Sequence, residues 1–213
     1  MSTMVATEAE ATPKAEVTPE ELLAMPDGGH YELIDGELRE RNLSILSNVI
    51  ASQINRILGN HCCAHNLGWI LASELGYRCF PWKPGRIRRA DVSFIRADRL
   101  SEERLSEGFC SVPPDLAIEV VSPNDLVEKL DEKVEEYLRA GVRLVWIVRA
   151  SVRAVEVFRS DRSVSWLWAE DEISGEDVVP GFRCKVGSLF PRFSPAEADN
   201  HAKPVTSSET PDS

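Results

Sequence analysis

Apolar residues recur along this chain with two periods, and the switches between them lay out its elements. Thr18-Pro19-Glu20-Glu21 reads as a capping box with proline at the first helical position, so a short helix is expected from Pro19 to Met25, stopped by Pro26. Residues 31–39 read as a β-hairpin about Asp35-Gly36, a two-residue turn signal. Ile45, Leu46, Val49, Ile50, Ile54, Ile57 and Leu58 fall at helical spacing and predict an amphipathic helix over 44–60, ended by Asn60. Strands are expected over 69–80, with an interruption at Gly76, and over 87–95, with a turn at 81–85 between them. A charged connection, 97–112, carrying one helical turn around 102–105, leads into Leu116–Val121. That run is almost continuously apolar, as a strand buried on both faces would be, and Ser122-Pro123-Asn124 ends it. A second amphipathic helix is expected over 126–140, with Gly141 as its stop. Strands at 142–148 and 152–158 pair, 166–169 is a further strand, 180–182 a turn and 186–190 a short closing segment. The order predicts an α/β fold with a mixed central β-sheet flanked by helices and an N-terminal β-hairpin. No internal repeat is visible.

Length and charge refine this into one domain with tails. The 213 residues divide into a disordered acidic tail, 1–17, a folded domain, 18–192, and a disordered polar tail, 193–213. Residues 1–27 carry a net −5 and residues 195–213 a net −3, which leaves about −3 of the total −11 to the body. An acidic balance argues mildly against a nucleic-acid binder. It does not exclude a nuclease, whose carboxylates hold a cation. The five cysteines are odd in number and show no disulfide spacing. The N-terminus has no apolar core of signal-peptide type and no run approaches membrane-spanning length, so the expected setting is a reducing cytoplasm, with no membrane partner.

Three residues stand out against this frame. Asp91 lies on the polar face of its strand with Arg89 and Ser93, where an aspartate is equally a solvated side chain. Glu119 interrupts Leu-Ala-Ile-Glu-Val-Val at 116–121, and a carboxylate buried there costs several kcal/mol unless it is paired with a base, such as Arg88 or Arg89, or with a metal ion. Lys133 sits at the edge of the helical stripe formed by Leu126, Leu130, Val134 and Tyr137, where a lysine can also snorkel over the core edge. Together the three make a chemistry that none makes alone. Two carboxylates suit Mg2+ (or Mn2+), which polarises a phosphoryl oxygen and acidifies an attacking water, and a lysine can orient that water and offset developing charge. Glu37 and Glu74 are auxiliary carboxylate candidates, each equally an exposed strand residue. Arg86, Arg88 and Arg89 with Lys83 form a basic cluster that could meet phosphates, Arg88 and Arg89 foremost, or could be a solvated edge. Tyr137 reads as core. His61-Cys62-Cys63-Ala64-His65 has zinc-ligand residue types without zinc-site spacing, and reads as a helix end packing into the core.

This pattern resembles the PD-(D/E)XK nuclease superfamily and, more closely, the Uma-type putative restriction endonuclease family. The likeness covers roughly 18–190. It is carried by Tyr-Glu-Leu-Ile-Asp-Gly-Glu-Leu at 31–38, Arg-Ala-Asp-Val-Ser-Phe-Ile at 89–95 and Pro-Asp-Leu-Ala-Ile-Glu-Val-Val-Ser-Pro at 114–123. Lys-Val-Glu-Glu-Tyr-Leu-Arg-Ala-Gly-Val at 133–142, Val-Trp-Ile-Val at 145–148 and Pro-Gly-Phe at 180–182 add to it. The resemblance implies a restriction endonuclease-like core, with Asp91, Glu119 and the Val120 carbonyl as metal ligands and Lys133 as the catalytic lysine. The superfamily lysine normally lies two residues after the second acid, where this chain has Val121; in the Uma-type pattern it has moved to the following helix. Ala90 replaces the usual proline, Ser47 or Asn48 stands where a histidine is common, and Arg149 where an aspartate is common. The implied activity is a divalent-metal-dependent endonuclease acting on phosphodiesters, with DNA as the expected partner and another nucleic acid as a lesser option. Cutting two strands usually takes two sites, which makes a homodimer an expectation. The alternative is a non-catalytic DNA- or protein-binding module that keeps the nuclease fold.

Overall fold

The computed structural model of the chain describes residues 16–41, 44–122 and 125–191. The two expected tails fall almost wholly outside these, as do Pro123 and Asn124 of the expected stop after residue 121. Glu16 and Val17, placed in the acidic tail by sequence, are described: the Val17 N–H donates to the Gly36 carbonyl at 2.8 Å.

Helix α1 (Pro19–Ala24) carries the expected box: Thr18 Oγ1 accepts from the Glu21 N–H and Glu21 Oε2 from the Thr18 N–H. Strands β1 (Tyr31–Ile34) and β2 (Glu37–Glu40) form the hairpin, with Asp35 and Gly36 both at positive φ, as a type I′ turn demands. Helix α2 (Ile45–Ala64) is capped by Ser44 and runs one turn beyond the expected Asn60 stop, because asparagine ends a helix only where the next residues lack a face to bury. Cys62 continues the buried stripe of Ile50, Ile54 and Leu58.

Six strands form the central sheet in the order β3-β4-β5-β6-β7-β8. They are β3 (Gly68–Ala72), β4 (Val92–Arg96), β5 (Leu116–Val121), β6 (Leu144–Arg149), β7 (Ala154–Arg159) and β8 (Val164–Leu167). Only β5 and β6 run parallel, joined by helix α3 (Val127–Arg139); all other neighbours are antiparallel. One face packs Val92, Phe94, Ile118, Trp146 and Val155 against α2, and the other packs Ala117, Val145 and Ile147 against α3. This two-sided burial explains the apolar run of β5. Helix α3 ends in a Schellman arrangement: the Val142 N–H reaches the Tyr137 carbonyl, the Gly141 N–H reaches that of Leu138, and Gly141 sits at φ +96°. A small two-stranded sheet, β9 (Glu172–Ser174) with β10 (Arg183–Lys185), was not expected; its strands are three residues each and lack a readable alternation.

The strands expected over 69–80 and 87–95 are shorter than the pattern suggested. Past Ala72 the chain leaves the sheet, and Ile87 exchanges both backbone bonds with Leu33 of the hairpin. Tyr77 bridges to Arg88 and Cys110 instead of to the sheet. The alternating residues there serve an irregular arm, 73–91, that presses Arg86, Arg88 and Arg89 between the hairpin and α3. No described helix is long and apolar enough to cross a membrane, and all five cysteines are unpaired.

Candidate active site

Asp91 stands where β4 meets β5. Its N–H donates to the Ile118 carbonyl at 3.0 Å, and its Oδ2 accepts from the Val120 N–H at 2.8 Å. The carboxylate thus takes an amide left open where the β4 ladder begins at Val92. Because Val92 pairs with Ile118, Asp91 lies beside Glu119. Glu119 is 6% exposed. Lys133 Nζ donates to its Oε2 at 2.8 Å and the Tyr137 hydroxyl to its Oε1 at 3.1 Å. Lys133 and Tyr137 are one helical turn apart on α3, which is why one carboxylate can meet both. The paired base is therefore Lys133, and neither Arg88 nor Arg89. Lys133 turns inward and does not snorkel, and Tyr137 is both core and donor.

A fourth residue completes the group. Glu32 on β1 lies 2.8 Å from Lys133 Nζ, accepts from the Arg89 N–H at 2.8 Å and from Arg88 Nη1 at 3.0 Å. Lys133 also donates to the Arg89 carbonyl at 2.7 Å. Its ammonium is thus held by two carboxylates and one main-chain oxygen. The hairpin motif at 31–38 contains Glu32, though the auxiliary carboxylate expected from it was Glu37. Glu37 is half-exposed, faces Arg39, and does not reach the site. The signal available was that Glu32 directly precedes two apolar residues in a strand packed on both faces, Glu32, Leu33 and Ile34 all being buried.

The electrostatics follow from one lysine among three acids. Burial raises the Glu119 carboxyl, Lys133 opposes this, and Asp91 and Glu32 add to the rise, placing it at about 7. Burial also acts against ionised Glu32, but Lys133 and Arg88 outweigh it and hold that carboxyl at about 2. Lys133 is pushed down by burial and up, more strongly, by Glu119, Glu32 and Asp91, so it stays charged. Burial, with Glu119 and Glu32 beside it, keeps Tyr137 protonated, as a donor must be.

Asp91, Glu119, Val120 and Lys133 line one cavity of about 350 Å³ between the hairpin and the start of α3. Glu32, Arg41 and Arg88 share its wall, and Arg39 and Lys129 also border it. Arg88 donates through Nε to Glu136 at 2.6 Å and through Nη1 to Glu32, while its buried Nη2 makes no hydrogen bond among the described residues and lies 3.6 Å from Glu132 Oε2. Arg89 differs. Its guanidinium is spent on the carbonyls of Tyr31, Glu74 and Gly28, clamping the hairpin and the arm together, and it does not line the cavity. Glu74 offers that clamp its carbonyl, while its exposed side chain stays outside the cavity. Arg86 is fully buried and tied to Glu132, Glu136 and Asp35. Arg41 donates to Asp91 Oδ1 at 2.5 Å and to the Ser73 carbonyl at 2.9 Å.

The donors fit a hard divalent ion. Two carboxylates meet at the cavity, and both draw cationic side chains onto themselves, Arg41 on one and Lys133 on the other. Among the described residues no group of three or more His, Cys, Asp or Glu is arranged to hold a metal. An ion here would keep waters or substrate oxygens in its remaining positions, which is the habit of Mg2+. At the other end of α2, His61 meets the Pro180 carbonyl and stacks on His65, while Cys62 is buried, as packing at a helix end would have it.

The profile of one family, Uma2, described as putative restriction endonuclease, matches residues 19–187. Among solved structures, the chain is similar to a putative nuclease belonging to DUF820 from Anabaena variabilis ATCC 29413. The TM-score is 0.70 at 17% identity, covering 82% of this chain and 97% of that one, a likeness of fold. No curated protein matches the chain.

Proposed function

The chain belongs to the Uma2 putative restriction endonuclease family, and from that premise and the geometry of the cavity we propose that it is a divalent-metal-dependent endonuclease that hydrolyses phosphodiesters in DNA. One observation carries the reading. Asp91, Glu119 and Lys133, spread over three elements, converge in a single cavity, with the lysine bonded to one acid and the backbone of β5 holding the other. Asp91, Glu119 and the Val120 carbonyl would hold Mg2+ or Mn2+. Bound there, the ion supplies polarisation of the phosphoryl oxygen and a more acidic water. The protein's own part is positioning. Glu32 and the Arg89 carbonyl keep Lys133 charged and aimed at the cavity, where it orients the attacking water and offsets charge on the phosphate. Arg88 lines the cavity beside these groups, with its guanidinium held by Glu32, Glu136 and, at 3.6 Å, Glu132. A cytoplasmic setting belongs to the same reading.

The test is cleavage of plasmid DNA with Mg2+ or Mn2+. Lys133→Ala should lower the rate about 100-fold or more, the size of losing a donor aimed at developing charge. The rival, a binding module that has lost turnover, draws on the cationic neutralisation of both acids by Arg41 and Lys133. It predicts no divalent binding and no cleavage across DNA and RNA substrates, and that result would overturn the proposal.

A further inference from the structure

Arg41 leaves β2 and turns back into the cavity, with its side chain only 8% exposed. Asp91 has one oxygen, Oδ2, fixed by the Val120 N–H; the other, Oδ1, is the oxygen free to face an ion, and Arg41 Nη2 covers it. We propose that Arg41 is the counter-cation of Asp91 in the metal-free protein, and that it moves to the substrate phosphate when a divalent ion takes its place. The inference rests on the nuclease reading above.

Three features support it. A guanidinium does not lose its proton in a protein, so Arg41 can yield to a dication only by moving. Lys133, by contrast, need not move: if Glu119 turned to an ion, Glu32 and the Arg89 carbonyl would still hold the ammonium. Among the described residues Arg41 has one acidic partner and one main-chain carbonyl, so losing Asp91 leaves its charge without a paired carboxylate inside the cavity it lines. A phosphate entering that cavity is the complementary anion, and a guanidinium can meet two of its oxygens at once.

Calorimetric titration of the full chain and of Arg41→Gln tests this, first with Mn2+ and then with thymidine 5′-monophosphate at saturating Mn2+. Removing a unit charge that repels a dication a few ångströms away should tighten Mn2+ binding about tenfold or more. The same variant should bind the nucleotide about tenfold more weakly. Arg41→Met, which also removes the charge and keeps an unbranched side chain, should move both affinities the same way, and carries the test if Arg41→Gln does not fold. Equal or weaker Mn2+ binding in the variants, or unchanged nucleotide binding, overturns the inference while leaving the nuclease reading in place. Absence of Mn2+ binding in wild type and variants alike overturns both.

Discussion

Glu119 shows what a carboxylate costs when it is buried beside two others. Its carboxyl is raised to about 7 by burial and by Asp91 and Glu32, against the pull of Lys133. A folded pKa above the unfolded value means that the folded state holds the proton more tightly. Its contribution to stability is therefore full below about pH 4.5 and is lost as pH rises through about 7. Glu119→Gln should thus raise the stability of the metal-free protein at pH 8 by about 1–3 kcal/mol, with the gain fading toward pH 5. Urea unfolding at the two pH values checks this, and a lower midpoint at pH 8 would show the charge to be stabilising. At this scale the sequence was partly readable. A carboxylate in an apolar run announces itself, as Glu119 does. Arg41 did not, because a lone arginine after a hairpin has no local pattern, and only the folded chain brings it to Asp91 from 50 residues away. Arg88 and Arg89, adjacent and alike in sequence, separate in the fold into a cavity-lining partner of Glu32 and Glu136 and a hairpin clamp.

The elements that carry the site were the ones whose local signals agree. For β5 and α3, burial pattern, length and stop signals point the same way. The strand expected over 87–95 starts only at Val92, because alternation reports two environments, not a sheet partner: Ile87 is buried, yet against Leu33 of the hairpin. The stop of α3 is a case where local chemistry decides. Gly141 holds φ +96° with open space where a Cβ would be. Gly141→Ala should then cost about 1 kcal/mol through backbone conformation alone, without a clash. Lys133 and Tyr137 lie upstream of this cap, so plasmid cleavage should be unchanged while the urea midpoint falls. A loss of activity greater than the loss of folded protein would mean that the cap governs the aim of Lys133.

Taken whole, the molecule interleaves basic and acidic side chains around one cavity. Much of the net −11 lies in the terminal stretches, whereas Arg39, Arg41, Arg88, Lys129 and Lys133 line the cavity together with Glu32, Glu40, Asp91, Glu119, Asp125 and Glu132. Total charge averages over this distribution and does not by itself decide which partner the cavity meets. If Lys129 meets a phosphate, Lys129→Ala in a Lys133→Ala background should weaken DNA binding similarly across sequences. It should also reduce the slope of log affinity against log salt by about 1. Fluorescence anisotropy over a salt series measures this, and an unchanged slope would place the DNA elsewhere. The proposed metal site is tested by calorimetric titration with Mn2+ of the wild type, Asp91→Ala and Glu119→Ala. Mn2+ should bind the wild type and neither variant, while both variants remain folded. Binding that survives either substitution, or a wild type that takes up no Mn2+, would rule the site out.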